Sequence, residues 1–200
     1  MKVRPEEKQA MELLSRCVYT DKKLFLDDKP DIQSEDLSVG IEHRYITTPS
    51  AEMQAKFSDE YLKGPLHIKD ARNIQKKVFP KSDFGFVVDD KGYVNAVIGN
   101  LSSKRENWKT NLFKTAYLDK MKKLNGNGYK SFLWYDVFFT LDKYWVLEDE
   151  LPHMSQVAKK INSDTFWKRA FKNIFLLTPS CLWMINPESG KFEKIRIPPQ

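Results

Sequence analysis

Asp31 follows a proline, and Glu42 closes the run Val39-Gly40-Ile41, with about ten residues between the two acids. If a tight turn is centred between Asp36 and Leu37, Gln33 faces Gly40, Ile32 faces Ile41 and Asp31 faces Glu42. Directly opposed side chains have Cβ atoms about 4.5–5.5 Å apart. Two bare carboxylates at that spacing repel, so a proton, a basic side chain or a divalent metal must offset them. Strand alternation puts Asp31, Gln33, Glu42 and Arg44 on one face, beside a glycine that leaves room, with Val39, Ile41 and His43 on the other. Oxygen ligands with a cation beside them suit metal-assisted cleavage of a phosphodiester, in which a metal polarises the phosphate and activates water. The same pattern also suits a solvated sheet face with Arg44 paired to one of the acids.

The elements that must hold these residues follow from pattern. Pro5, Glu6 and Glu7 read as a helix start, with Ala10, Leu13, Leu14, Cys17 and Val18 on its buried side. KKLFLDD reads as a short strand ahead of the hairpin. SAEMQAKFSDEYLKG reads as a helix capped by Ser50 and stopped near Gly64, and Pro65 to Lys81 as holding a second short helix. FGFVVDDKGYVNAVIG reads as two strands about a turn. Trp108, Leu112, Phe113, Ala116, Met121 and Leu124 keep helical spacing, so a long helix is expected over about Glu106 to Leu124. YKSFLWYDVFFTL reads as a central strand covered on both faces. A short helix at MSQVAKKI and the strands of NIFLLTPSCLWMINPESGKFEKIRI close the chain. These elements predict an α/β fold, a mixed central sheet flanked by helices, in a single domain spanning 1–200.

The chain has 200 residues, 41% hydrophobic and 30% charged, with a formal net charge of +6, as expected of an ordinary globular protein. Cys17 and Cys181 are far apart and lack C-x-x-C spacing, so no disulfide framework or zinc motif is expected and both read as buried small hydrophobes. The start has no signal-peptide core and no stretch approaches membrane-spanning length, so a cytoplasmic location and no membrane partner are expected. No phosphate loop or nucleotide fingerprint is present. His67 and His153 stand alone and read as structural or surface residues, and Ser180 reads as a turn residue. His43 is expected at the core edge, hydrogen-bonded.

An early helix with acids, then Pro-Asp, then Gly-Ile-Glu-x-basic, resembles the PD-(D/E)XK nuclease superfamily. YLDKMKKLNGNGYKSFLWYDVFF resembles its later lysine-bearing helix and core strand, and IFLLTPSCLWMIN the closing strands of small bacterial members of unassigned function. The resemblance implies a restriction-endonuclease-like fold and an Mg²⁺ (or Mn²⁺) cofactor. Asp31, Glu42 and the backbone carbonyl of His43 would be metal ligands, with Glu12 or Glu7 completing the set. Asp31, Glu42 and Arg44 would be catalytic. Arg44 stands where the family has lysine; it stays charged and cannot act as a base, so Lys120 or Lys123 could supply a relocated lysine.

Between Lys104 and Lys130 there are eight Lys or Arg and two acids, interleaved with Trp108, Tyr117 and Tyr129. That excess suits a phosphate backbone, with Lys114, Lys120 and Lys123 as nucleic-acid contacts, or equally the solvent face of an amphipathic helix. The expected function is a metal-dependent, nuclease-like protein acting on nucleic acid. The alternative is a catalytically silent binding or interaction module on the same fold.

Overall fold

The computed structural model describes residues 4–47, 49–80, 82, 84–98, 108–141, 148–179 and 181–198. The expected helix start at Glu106, Lys81, Lys104, Ser180 and the side chain of the expected Ser50 cap lie outside what is described. The chain divides into two compact units, 1–46 with 107–200 and an insert of 47–106.

The larger unit is built on a seven-stranded mixed sheet in the order β1-β2-β3-β6-β7-β8-β9. Helix α1 (Pro5–Cys17) leads into β1 (Leu24–Leu26), β2 (Ile32–Ser34) and β3 (Val39–Ile46), which form an antiparallel meander. Ile32 pairs with Ile41 and Gln33 with Gly40, the register expected from the turn at Asp36-Leu37. Asp36 accepts from the Ser38 N–H and from Lys22, which ties that turn. Strand β6 (Trp134–Leu141) lies parallel to β3, with Glu42 beside Val137, and β7 (Phe171–Leu177) lies parallel to β6. Strands β8 (Leu182–Asn186) and β9 (Lys191–Ile195) close the far side as antiparallel hairpins.

Alternation on the central strands sorts two apolar layers. Ile32, Val39, Ile41, Phe138 and Phe175 pack with Ala10 and Leu14 of α1. Val137, Phe139, Ile174 and Leu176 face the other way, against α4 (Trp108–Leu124) and α5 (Leu151–Asn162). Strand β6 is therefore buried along nearly its whole length, as its unbroken apolar run predicts. Cys181 is buried as expected, but Cys17, at the C-terminal end of α1, is only half-buried. Gly40 has a packing reason: a Cβ there would stand 2.6 Å from Pro30 Cγ and 2.8 Å from Phe132 Cδ2.

The insert has its own small core. Helices α2 (Pro49–Tyr61) and α3 (Ile68–Val78) and the β4 (Gly85–Val88)–β5 (Val94–Ile98) hairpin gather Phe57, Ala71, Phe79 and Phe84. His67 caps α3 by accepting from the Lys69 N–H. Among the described residues, no helix is long and apolar enough to cross a membrane.

Candidate active site

The site is assembled from the β2–β3 meander and the second half of α4. Asp31 sits just before β2, and Glu42 lies in the middle of β3. Helix α4 buries Phe113, Ala116, Tyr117, Met121 and Leu124. Lys120 is four residues beyond Ala116, on the flank of that stripe, and Lys123 is one turn further on. Both therefore reach down to the strand acids.

Glu42 has no solvent exposure. Its Oε2 accepts from Lys120 Nζ at 2.5 Å and from Lys123 Nζ at 3.0 Å. Its Oε1 accepts a short hydrogen bond from the Tyr129 hydroxyl. Asp31 Oδ2 accepts from the His43 backbone N–H at 2.8 Å and from Lys120 Nζ at 3.3 Å, and Oδ1 lies 3.8 Å from Lys123 Nζ. The two carboxylates thus converge on one ammonium group, and the cation that offsets their repulsion comes from the helix.

The electrostatics agree with this pairing. Burial pushes the Asp31 carboxyl up, but Lys120, the His43 N–H and Lys123 outweigh it and hold the group below the usual carboxylate range. Burial pushes the Lys123 ammonium down, and Glu42 and Asp31 reverse that and raise it. Burial and the Glu42 charge push the Tyr129 hydroxyl up, so it remains a proton donor to Glu42. His43 lies on the opposite face of β3, with Nε2 2.9 Å from Thr140 Oγ1 and its ring against Phe138. Burial and Lys120 push it down to about 4, so the ring is neutral near pH 7.

Arg44 shares a strand face with Glu42, but its guanidinium pairs with Asp119 at 2.9 Å, half-exposed. It does not join the carboxylate cluster, because Asp119 lies one residue before Lys120 on α4 and meets it first. Glu12 is exposed and pairs with Lys8 at 3.7 Å. It falls two residues from both Ala10 and Leu14, about 200° around the helix from the buried side. Glu7 turns back to Arg4, accepting from its backbone N–H at 3.2 Å. The α1 acid that acts on the sheet is Glu6, four residues before Ala10, whose charge favours the protonated form of His43.

Lys120 and Lys123 are spent on the acids, while Lys114 is exposed on α4. Tyr117 is buried, donating to Asn162 Oδ1 at 2.5 Å, so it offers no face for a base to stack on. Tyr129 was legible only as an aromatic in a basic stretch; nothing in the sequence signals its bond to Glu42.

The donor set suits a hard cation. Asp31 and Glu42 supply oxygen ligands around one shared cation position, and Mg²⁺ commonly takes one or two carboxylates and fills its other positions with water and phosphate. Among the described residues, no group of three or more His, Cys, Asp or Glu that could hold a metal ion gathers. No family model, no curated protein and no solved structure matches the chain.

Proposed function

We propose that this protein is a divalent-metal-dependent phosphodiester hydrolase of the PD-(D/E)XK type, acting on nucleic acid in the cytoplasm. The observation that carries the reading is the convergence of Asp31 and Glu42 on the Lys120 ammonium. The order of elements supports it: helix, three-stranded meander, lysine-bearing helix, parallel core strand.

Asp31 and Glu42 would hold Mg²⁺ or Mn²⁺. When bound, the cation would polarise a phosphate oxygen and lower the pKa of the attacking water. The His43 N–H fixes Asp31 and the Tyr129 hydroxyl fixes Glu42, so both acids are oriented before a ligand arrives. Lys120 takes the part of the motif lysine. Its ammonium stands between the acids, where it stabilises charge that builds on the phosphorus oxygens. Arg44, held by Asp119, has no part in the step.

One observation favours a second reading, a silent module. Each acid is already matched by protein donors, and two ammonium groups balance two carboxylates without a metal. Thermal melts of wild type and Asp31→Ala, with and without Mn²⁺, separate the two. At 100 times Kd, a ligand of the native state adds about 2.7 kcal/mol. For a chain of this size that is about 5–10 °C in Tm. The shift is expected in wild type and lost in Asp31→Ala, together with metal-dependent cleavage of nucleic acid. Superimposable melts of wild type with and without metal would leave the silent module standing.

A further inference from the structure

The two lysines at the carboxylate pair are not equivalent. Lys120 Nζ lies 2.5 Å from Glu42 and 3.3 Å from Asp31, and its side chain is 11% exposed. Lys123 Nζ lies 3.0 Å and 3.8 Å from the same acids, and its side chain is 39% exposed. Two carboxylates facing two ammonium groups are already neutral. A divalent cation held by the acids would add two charges beside both amines, and like charges packed together are unfavourable. One ammonium must leave. Lys123 has the longer contacts and an open path to water, where a lysine head is readily solvated. Lys120 is enclosed, and its removal would strip Glu42 of the closer of its two ammonium contacts. Tyr129 holds the other oxygen of Glu42, so the acid keeps its orientation when Lys123 goes.

We propose that Lys123 is a displaceable internal counter-cation: it occupies the Asp31–Glu42 pair until a divalent cation exchanges for it, while Lys120 stays. This rests on the metal reading above. It makes loading an exchange reaction, so the wild-type chain binds metal more weakly than its acids alone would. Releasing Lys123 also frees a positive side chain at the mouth of the site, where an incoming phosphate could take it.

The test is calorimetric titration of folded protein with MnCl₂, in the absence of nucleic acid. Lys123→Met and Lys123→Gln remove the competitor; Lys122→Met removes the same charge from an exposed neighbour on the same helix. Losing one charge-assisted contact to displace corresponds to about tenfold tighter Mn²⁺ binding in both Lys123 variants. Lys122→Met should stay within about twofold of wild type, since exposed charges are screened. Binding by the Lys123 variants alone, with none by wild type, overturns the exchange, because Lys123 then holds the pair against the metal. Equal affinity in wild type and the Lys123 variants overturns it and leaves the metal reading intact. A matching gain in Lys122→Met overturns it as well, as a net-charge effect. No binding by any of the four proteins overturns the metal reading and this inference together.

Discussion

Replacing Glu42 with glutamine keeps the shape of the side chain and deletes its charge. Glu42 is fully buried and accepts from Lys120, Lys123 and Tyr129. After the change, Lys120 keeps only Asp31, at 3.3 Å, and one end of the new amide turns a donor toward donors. Removing one partner of a buried ion pair costs about 3–5 kcal/mol, because the other charge is left without its match. An exposed pair would cost less than about 1 kcal/mol. The burial of Glu42 decides between them and predicts the larger figure, or a Tm lower by about 6–20 °C. Urea unfolding of wild type, Glu42→Gln, Lys120→Met and the double variant measures it. Each single change strands a charge, whereas the double change strands less, so the two should couple by at least about 2 kcal/mol. Additive effects, or a loss under about 1 kcal/mol for Glu42→Gln, would show that the cluster is solvated and that its short contacts carry little.

Gly40→Ala should destabilise by about 1–3 kcal/mol, since the added Cβ meets Pro30 and Phe132 inside ordinary contact distance; chemical denaturation reads the loss. Burial raises the Asp136 carboxyl to about 6, against the Tyr19 hydroxyl and Asn173 N–H that favour its charge. A raised acid contributes stability below its unfolded pKa of about 3.9 and loses it as pH rises through about 6. Relative to Asp136→Asn, wild type should therefore lose about 2 kcal/mol between pH 4 and pH 7, and a difference that does not move with pH would refute the burial effect. Arg44→Ala should cost under about 1 kcal/mol and leave the Mn²⁺-induced Tm shift unchanged, because its partner is Asp119 on the surface.

The meander was legible because its signals are local. The Asp36-Leu37 turn sets the register, and alternation then places Asp31 and Glu42 together. Strand β6 was legible from its length and apolar run. What joins the acids was less so. Lys120 and Lys123 lie 78 and 81 residues beyond Glu42, and their reach to it depends on how α4 rolls on the sheet. Helical spacing gives that roll through Leu112, Phe113, Ala116, Met121 and Leu124, and Tyr117 reads as an aromatic of the basic stretch until Asn162 is seen to take its hydroxyl. Of the α1 acids, Glu6 continues the Ala10–Leu14 stripe, while Glu12 lies away from it and Glu7 turns back to Arg4, a matter of helix geometry that the count of early acids does not reveal. The division at 47–106 left no composition break, since the insert carries the same mix of short helices and strands as the rest.

Arg44 and Lys120 are best understood as one arrangement. The strand β3 presents an acid and a base two residues apart, Glu42 and Arg44, on the side facing α4. The helix presents an acid and a base at adjacent positions, Asp119 and Lys120. They pair crosswise, Arg44 with Asp119 where both are half-exposed and Glu42 with Lys120 where both are buried. Had Arg44 turned to Asp31 and Glu42, three cations would share two acids and Asp119 would be left without its partner. Asp119 thus draws the guanidinium away and leaves the acids to ammonium groups. Lysine suits that place better than arginine: a compact point charge with three rotatable donors can bridge two carboxylates and still yield one of them, whereas the planar guanidinium holds a carboxylate through a fixed fork. The departure at Arg44 therefore removes a rigid cation from the acids rather than removing the basic group the chemistry would use.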